Sequence, residues 1–298
     1  MSEVNYVLVK GKKKKIKQFK LTLKKMGITD ISEIEGLDNI SFLRKLDLKK
    51  NNITTIKGLE FLIDLEKLNL RKNDISEIKG LDRLTNLIEL NLSNNQISEI
   101  EGLENLYNLE KLYLHNNKIT EIKGLENLKN LKNLDLAYNQ ITEIKGLDPL
   151  KNLESLDLRS NSISEIKGLD PLTNLKFLVL ASNNISEIKG LENLTSLTSL
   201  YMNKNTFTDI KGFENLTNLS YINLSLKITL HKCFLNGKEI PLKVAGIMGI
   251  DINNRYLYSV KARQMVKFCQ FLKEMGYLDS NTPGIVEAYR KWDKLHRT

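Results

Sequence analysis

Nine glycines recur every 22 residues through the middle of the chain, and this spacing limits the folds that the chain can adopt. They stand at positions 36, 58, 80, 102, 124, 146, 168, 190 and 212. In the unit that begins at Gly80, leucine or isoleucine occupies positions 81, 84, 87, 90, 92, 97 and 100. Such a period is typical of a solenoid, because one coil can bury its apolar side chains only against its neighbours.

Within each unit the sequence predicts a short strand followed by a turn. Leu90 and Leu92 alternate with polar residues, which favours a strand with one buried face. An asparagine follows each such strand, and its amide can both donate to and accept from backbone groups that the turn leaves inside. We predict a structural role for this column, which comprises Asn51, Asn73, Asn95, Asn117, Asn139, Asn161, Asn183 and Asn205.

The pattern L-x-x-L-x-L-x-x-N-x-I, present at residues 87–97, resembles the leucine-rich repeat family. The 22-residue length and the I-x-E-I-x-G-L return are similar to the SDS22-like class of that family. The resemblance implies an α/β solenoid, a right-handed horseshoe or arc with a parallel β-sheet on its concave side. Short 3-10 or extended segments would form the convex side. It also implies a regulatory or adaptor role.

The sequence predicts three regions. Residues 1–35 form an N-terminal cap and a degenerate first repeat, residues 36–224 form about nine coils, and residues 225–298 form a C-terminal capping region. In the N-terminal cap we expect a hairpin with strands at residues 6–9 and 16–19 and a turn at residues 11–15. In the C-terminal region, Asn236-Gly237 predicts another hairpin turn, and helical spacing of apolar residues predicts two helices.

The formal net charge of +9 is unevenly distributed. Residues 1–35 carry +5, residues 36–224 carry −3 and residues 225–298 carry +7, so the basic character belongs to the two ends. The sequence shows neither an apolar run long enough to cross a membrane nor the pattern of a secretory signal. Internalins share this repeat class but need export signals. We therefore expect a cytoplasmic, monomeric protein without a membrane span.

Motifs for catalysis or for metal binding are missing from the sequence. There is no CxxC, HExxH or phosphate-binding glycine loop, and the three histidines are scattered. Two cysteines, Cys233 and Cys269, are too few for a disulfide framework and predict buried thiols. We therefore expect no catalytic residue, no metal site and no cofactor, and we interpret the chain as a non-catalytic scaffold or adaptor that binds another protein.

The predicted binding surface is the concave face, where outward side chains of the strands become aromatic toward the late coils. Exposed aromatic side chains on a rigid surface are typical anchors of protein interfaces. In the other interpretation, the C-terminal region folds over the last four of these residues and buries them. The candidate partner-binding residues are Tyr113, His115, Tyr138, Arg159, Phe177, Val179, Tyr201 and Tyr221.

An alternative function is binding of nucleic acid or of another anionic surface through the basic N-terminal end. Lysine and arginine dominate the outward positions of the early coils, although the sequence reading finds no aromatic residues there for base stacking. Nucleic acid is therefore the less favoured partner. This basic patch comprises Lys45, Lys49, Lys50, Lys67, Arg71 and Lys72.

Overall fold

A computed structural model describes residues 5–207 and 212–224, and the backbone of four strands within residues 226–257. The chain divides into two compact units, residues 1–156 and 157–298. The division into two caps and an array, predicted above, follows other boundaries and stays a prediction. The two predicted C-terminal helices lie outside the described residues.

Unit 1 contains a small antiparallel sheet and a parallel ladder of strands. In the small sheet, β1 pairs with β2 on one side and with β4 on the other. In the parallel ladder, β3 pairs with β5, and each later strand pairs with the next. The strands are β1 (Tyr6–Val9), β2 (Lys12–Lys15), β3 (Lys20–Thr22), β4 (Ile34–Glu35), β5 (Lys45–Asp47), β6 (Lys67–Asn69), β7 (Glu89–Asn91), β8 (Lys111–Tyr113) and β9 (Asn133–Asp135).

Unit 2 continues with the same kind of coil and ends in antiparallel strands. The strand β10 (Ser155–Asp157) lies at the boundary between the units. Within unit 2, β11, β12 and β13 form a parallel ladder, and β14 to β17 form an antiparallel sheet in the order β16-β15-β14-β17. Their bounds are β11 (Phe177–Val179), β12 (Ser199–Tyr201), β13 (Tyr221–Asn223), β14 (Leu226–Thr229), β15 (Lys232–Leu235), β16 (Lys238–Ile240) and β17 (Tyr256–Leu257).

The N-terminal hairpin is present, but its turn and second strand differ from the prediction. The turn is at Lys10 and Gly11, both with positive φ, and the lysine run forms β2 instead of a loop. Val7 and Val9 of β1 are buried, which fixes the register of the hairpin. The lysines of β2 supply backbone pairing and leave most of their side chains in solvent, so an alternating apolar pattern is not needed.

The core consists of leucine and isoleucine columns that run through successive coils. Leu90, Leu92 and Ile97 have no exposed surface. On the return segment, the N–H of Leu84 donates to the Leu81 carbonyl at 2.9 Å, so consecutive turns replace helix. Within the described residues the helices are two 3-10 turns, Ile31–Glu33 and Leu37–Asn39. The fold is thus a parallel β-sheet solenoid of about nine turns with almost no helix, of the leucine-rich repeat type.

The asparagine column joins neighbouring coils through buried hydrogen bonds. Asn95 donates from Nδ2 to the carbonyls of Leu70 and Leu92, and its Oδ1 accepts from the N–H of Ile75. The distances are 3.1, 2.8 and 3.1 Å. The other seven members also donate from Nδ2 to backbone carbonyls. Each amide therefore satisfies backbone groups that no water reaches.

The recurring glycine is required by contact between coils. Gly102 has φ +71, and a Cβ added there would collide with the Ile78 carbonyl oxygen of the preceding coil. At Gly58 the nearest atom to such a Cβ is Ile31 Cγ2, at 3.8 Å. The steric requirement therefore begins only where regular coils stack on each other.

A second asparagine ladder, which the sequence analysis missed, lies on the outer side of the coils. Asn108 donates from Nδ2 to the carbonyl of Thr85, 23 residues earlier, at 3.0 Å. These side chains are exposed, so they tie the returns together at the surface. The ladder includes Asn86, Asn108, Asn130, Asn152 and Asn218.

Candidate functional site

The short strands place their first and third residues outward and bury the second. In β8, Lys111 and Tyr113 are half-buried while Leu112 is fully buried between them. In regular coils the parallel register keeps equivalent positions of successive strands side by side. The outward columns of unit 1 and those of unit 2 are the candidate binding surfaces.

Histidine and carboxylate meet on the outward face of unit 1. His115 Nδ1 lies 2.9 Å from Asp135 Oδ2, and His115 Nε2 lies 2.9 Å from Asn94 Nδ2. Asn94 Oδ1 in turn accepts from Asn116 Nδ2 at 3.1 Å. With Asn94 in this orientation its amide donates to Nε2, so His115 is neutral and donates from Nδ1 to Asp135. The predicted binding residue His115 is thus held in a polar network.

Tyr113 lies beside two carboxylates on the same face. Burial raises the pKa of the Tyr113 hydroxyl, and the negative charges of Glu89 and Asp135 raise it further. Glu89 also accepts a hydrogen bond from the Lys67 ammonium at 2.7 Å, and this bond raises the pKa of Lys67. Lys67, one of the six predicted basic-patch residues, is therefore partly neutralised.

The remaining basic-patch residues form a concentrated positive surface. Positions 25, 50 and 72 follow one another in the ladder, because the Lys25 N–H donates to the Lys49 carbonyl and the Lys50 N–H to the Arg71 carbonyl. The positive charges of Lys25 and Lys72, followed by burial and by Lys49 and Arg71, lower the pKa of Lys50. Within the described residues no carboxylate lies within 4 Å of the charged groups of Lys45, Lys49, Lys50, Arg71 or Lys72.

Unit 2 carries the aromatic candidates. Phe177 is 48% exposed, and Val179, Tyr201 and Tyr221 are half-buried. Val179 pairs with Tyr201 across the ladder, and the rings of Tyr201 and Tyr221 lie 4.9 Å apart between centroids. These four residues, here called the aromatic patch, lie together on β11, β12 and β13.

Two further candidates are placed differently from the aromatic patch. Arg159, in unit 2, donates from Nε to both carboxylate oxygens of Asp157, so its guanidinium is held close to its own strand. Tyr138, in unit 1, is 55% exposed and has φ +55, in the column of left-handed residues that follows the strands. The described part of the chain contains no cluster of three or more side chains that could hold a metal ion.

The sequence analysis missed exposed aromatic residues at the basic end of unit 1. Phe19 is 55% exposed, and its ring contacts Phe42 edge-on at 6.3 Å between centroids. The Arg44 guanidinium lies 5.7 Å from the Phe19 ring centre. The statement that this end lacks aromatic residues was therefore wrong. Residues 16–19 were assigned to a hairpin strand, whereas Phe19 occupies the tight turn that precedes β3.

Stacked coils with a β-strand and an asparagine every 22 residues define a repeat protein of the solenoid class, which presents an extended surface for binding. The family model described as Leucine Rich repeats (2 copies) matches residues 63–105, 85–127, 107–151, 129–172 and 173–214. These matches span about half of the sequence. The chain therefore belongs to the leucine-rich repeat family. No curated protein sequence matches it.

Several solved structures are similar to this chain. Internalin inlF from Listeria monocytogenes is 34% identical with a TM-score of 0.54, over 65% of this chain and 64% of that one. The chain thus spans less than two thirds of inlF. Internalin C2 from the same organism is 30% identical with a TM-score of 0.58, over 65% and 85%. TLR13, solved in complex with ssRNA13, is 28% identical with a TM-score of 0.52, over 66% and 34%.

No helix among the described residues is both long and apolar enough to cross a membrane. The expected cytoplasmic location and monomeric state stay predictions.

Proposed function

We propose that the protein is a non-catalytic scaffold of the SDS22-like class, and that it binds a protein partner through the outward strand face of unit 2. The aromatic patch carries this proposal. Phe177 keeps about half of its surface in solvent although it sits on a strand between buried neighbours. A folded protein gains by burying such a ring, and aromatic side chains on rigid strands are frequent anchors of interfaces.

The geometry of the aromatic patch supports a binding role. The tilted pair of Tyr201 and Tyr221 presents two half-buried rings with their hydroxyl groups, a combination that suits an interface with an apolar centre and a polar rim. Ser199 is buried between the strands that carry them, and its small side chain leaves room beside Phe177. The strands hold these side chains in place, so binding costs little conformational entropy.

The test compares capture of partners by the wild-type chain and by a double variant, Phe177→Glu with Tyr201→Glu. We expect the variant to fold normally and to lose the proteins captured from native lysate, as identified by mass spectrometry. For a partner then purified, removing two interface anchors should weaken binding at least about 30-fold by calorimetry.

The matched control is Phe61→Glu with Tyr107→Glu. Both residues are 51% exposed, but they lie on return segments of unit 1 and not on strands. The control should keep the captured proteins. If the site variant keeps them as well, or if both variants lose them equally, the assignment to the aromatic patch is wrong.

A further inference from the structure

The first three coils of unit 1 concentrate positive charge on one surface. Their outward positions carry ten lysines and arginines but only two carboxylates, Asp47 and Glu66. Each carboxylate lies within 4 Å of one cation of this set. We call this surface the basic rows, and it comprises Lys20, Lys24, Lys25, Arg44, Lys45, Lys49, Lys50, Lys67, Arg71 and Lys72.

An aromatic ring stands at one edge of the basic rows. The Phe19 carbonyl accepts from the N–H groups of Arg44 and Lys45 at 2.9 and 3.0 Å, so the start of β5 fixes its backbone. Its ring is flanked by Phe42 and by the Arg44 guanidinium and stays more than half exposed. A ring beside a guanidinium offers two planar groups on which a nucleobase can stack.

The backbone at Phe19 is unusual for a residue with a large side chain. Lys17 and Lys20 exchange backbone hydrogen bonds at 3.0 and 2.9 Å, and the two residues between them, Gln18 and Phe19, have φ of 49° and 58°. Such a turn favours Asn-Gly, because only small or amide residues adopt the left-handed region easily. The fold alone therefore does not favour phenylalanine here, which points to a role for the exposed ring.

One buried donor in the basic rows also lacks an acceptor. Arg71 Nε is shielded from solvent and has no hydrogen-bond partner within the described part of the chain. Leaving such a donor unmatched is costly, and an anion bound beside the guanidinium would supply an acceptor.

We propose that the basic rows together with Phe19 bind single-stranded nucleic acid, with phosphates on the lysine columns and a base stacked on Phe19. From Phe19 to Lys25 the rows extend about 20 Å along the strands, at about 3.3 Å per residue. This length matches about six stacked nucleotides at 3.4 Å each. The surface belongs to unit 1 alone, so the proposal is independent of the aromatic patch. TLR13, one of the similar structures, was solved in complex with a single-stranded RNA.

The first test measures fluorescence anisotropy of a labelled single-stranded oligothymidine of about twelve nucleotides against the full chain. About five phosphate contacts predict a slope of log affinity against log salt near −3.5, and thus about a hundredfold weaker binding at 200 mM salt than at 50 mM. The Lys50→Gln, Lys72→Gln double variant should lower the steepness of this slope by about 1.4. The control Lys57→Gln, Lys129→Gln removes two exposed lysines elsewhere in unit 1 and should leave the slope unchanged. Equal effects of both variants would overturn the proposal.

The second test separates stacking from charge. Phe19→Gly relieves the left-handed backbone, so the unfolding midpoint should stay the same or rise. Affinity for the oligonucleotide should nevertheless fall about tenfold or more, while the exposed control Phe61→Ala should not change it. An unchanged affinity of Phe19→Gly would overturn the proposal. It would also be overturned if a polyglutamate peptide of equal charge bound as tightly as the oligonucleotide, because the surface would then recognise only negative charge.

Discussion

Replacement of Asn95 by alanine tests how much the asparagine column contributes to the fold. Asn95 is 5% exposed, and its amide makes three hydrogen bonds to the backbone of two neighbouring turns. Alanine would leave the carbonyls of Leu70 and Leu92 and the N–H of Ile75 without partners. Each unsatisfied buried group costs about 1–3 kcal/mol, and water entering the vacated space reduces this cost. We expect Asn95→Ala to lower the free energy of unfolding by about 3–5 kcal/mol.

The assay is urea denaturation of the full chain, followed by far-ultraviolet circular dichroism. With a denaturant dependence of about 3 kcal/mol per molar urea, the midpoint of the transition that reports unit 1 should fall by about 1 M or more. Asn108→Ala is the matched control, because Asn108 is exposed and donates one hydrogen bond to the Thr85 carbonyl. Its cost should stay below about 1 kcal/mol. If Asn95→Ala destabilises the chain no more than Asn108→Ala, the column does not have the role argued here.

Two further predictions concern the glycine column and an exposed carboxylate. Gly102→Ala should destabilise the chain by at least about 2 kcal/mol more than Gly58→Ala in the same denaturation assay, because both strain the backbone but only the first collides with the Ile78 carbonyl. Equal costs would contradict this steric argument. Hydrogen bonds, first from the Thr29 hydroxyl, lower the pKa of Glu33 from 4.5 to about 2. The ionised group therefore stabilises the fold above pH 4.5, and this contribution is lost as the pH falls toward 2. An NMR titration should give the lowered pKa, and Glu33→Gln should remove this part of the pH dependence of stability. A titration midpoint near 4.5 would show that these hydrogen bonds do not persist in solution.

Much of the fold was predictable because the repeat multiplies weak signals. The alternation at Leu90 and Leu92 is ambiguous in a single strand, but its recurrence at a fixed spacing leaves one packing solution. The asparagine column was predictable for the same reason, since an amide at a buried turn must satisfy backbone groups. The 25-residue offset of the first coil also appears in the ladder, where Leu21 pairs with Leu46.

The errors concern residues whose role depends on a unique neighbour. Nothing in the lysine run of β2 predicts a strand, because its pairing is fixed by the buried valines of β1. Phe19 lies in a turn without the usual glycine or asparagine, so the sequence gave no reason to expect an exposed ring there. The pairing of His115 with Asp135 depends on the lateral spacing of two coils. The outer ladder, including Asn108, recurs in the sequence and was open to discovery.

The bonds of Asn95 also have a consequence for synthesis on the ribosome. The N–H of Ile75 finds its acceptor only on an asparagine 20 residues later, and Ile53 depends in the same way on Asn73. A newly made coil is therefore incomplete until most of its successor has left the exit tunnel. At about 5–20 residues per second, this delay lasts about 1–4 s for each coil. The growing chain thus always carries one unfinished turn at its leading end, where chaperones would find their target.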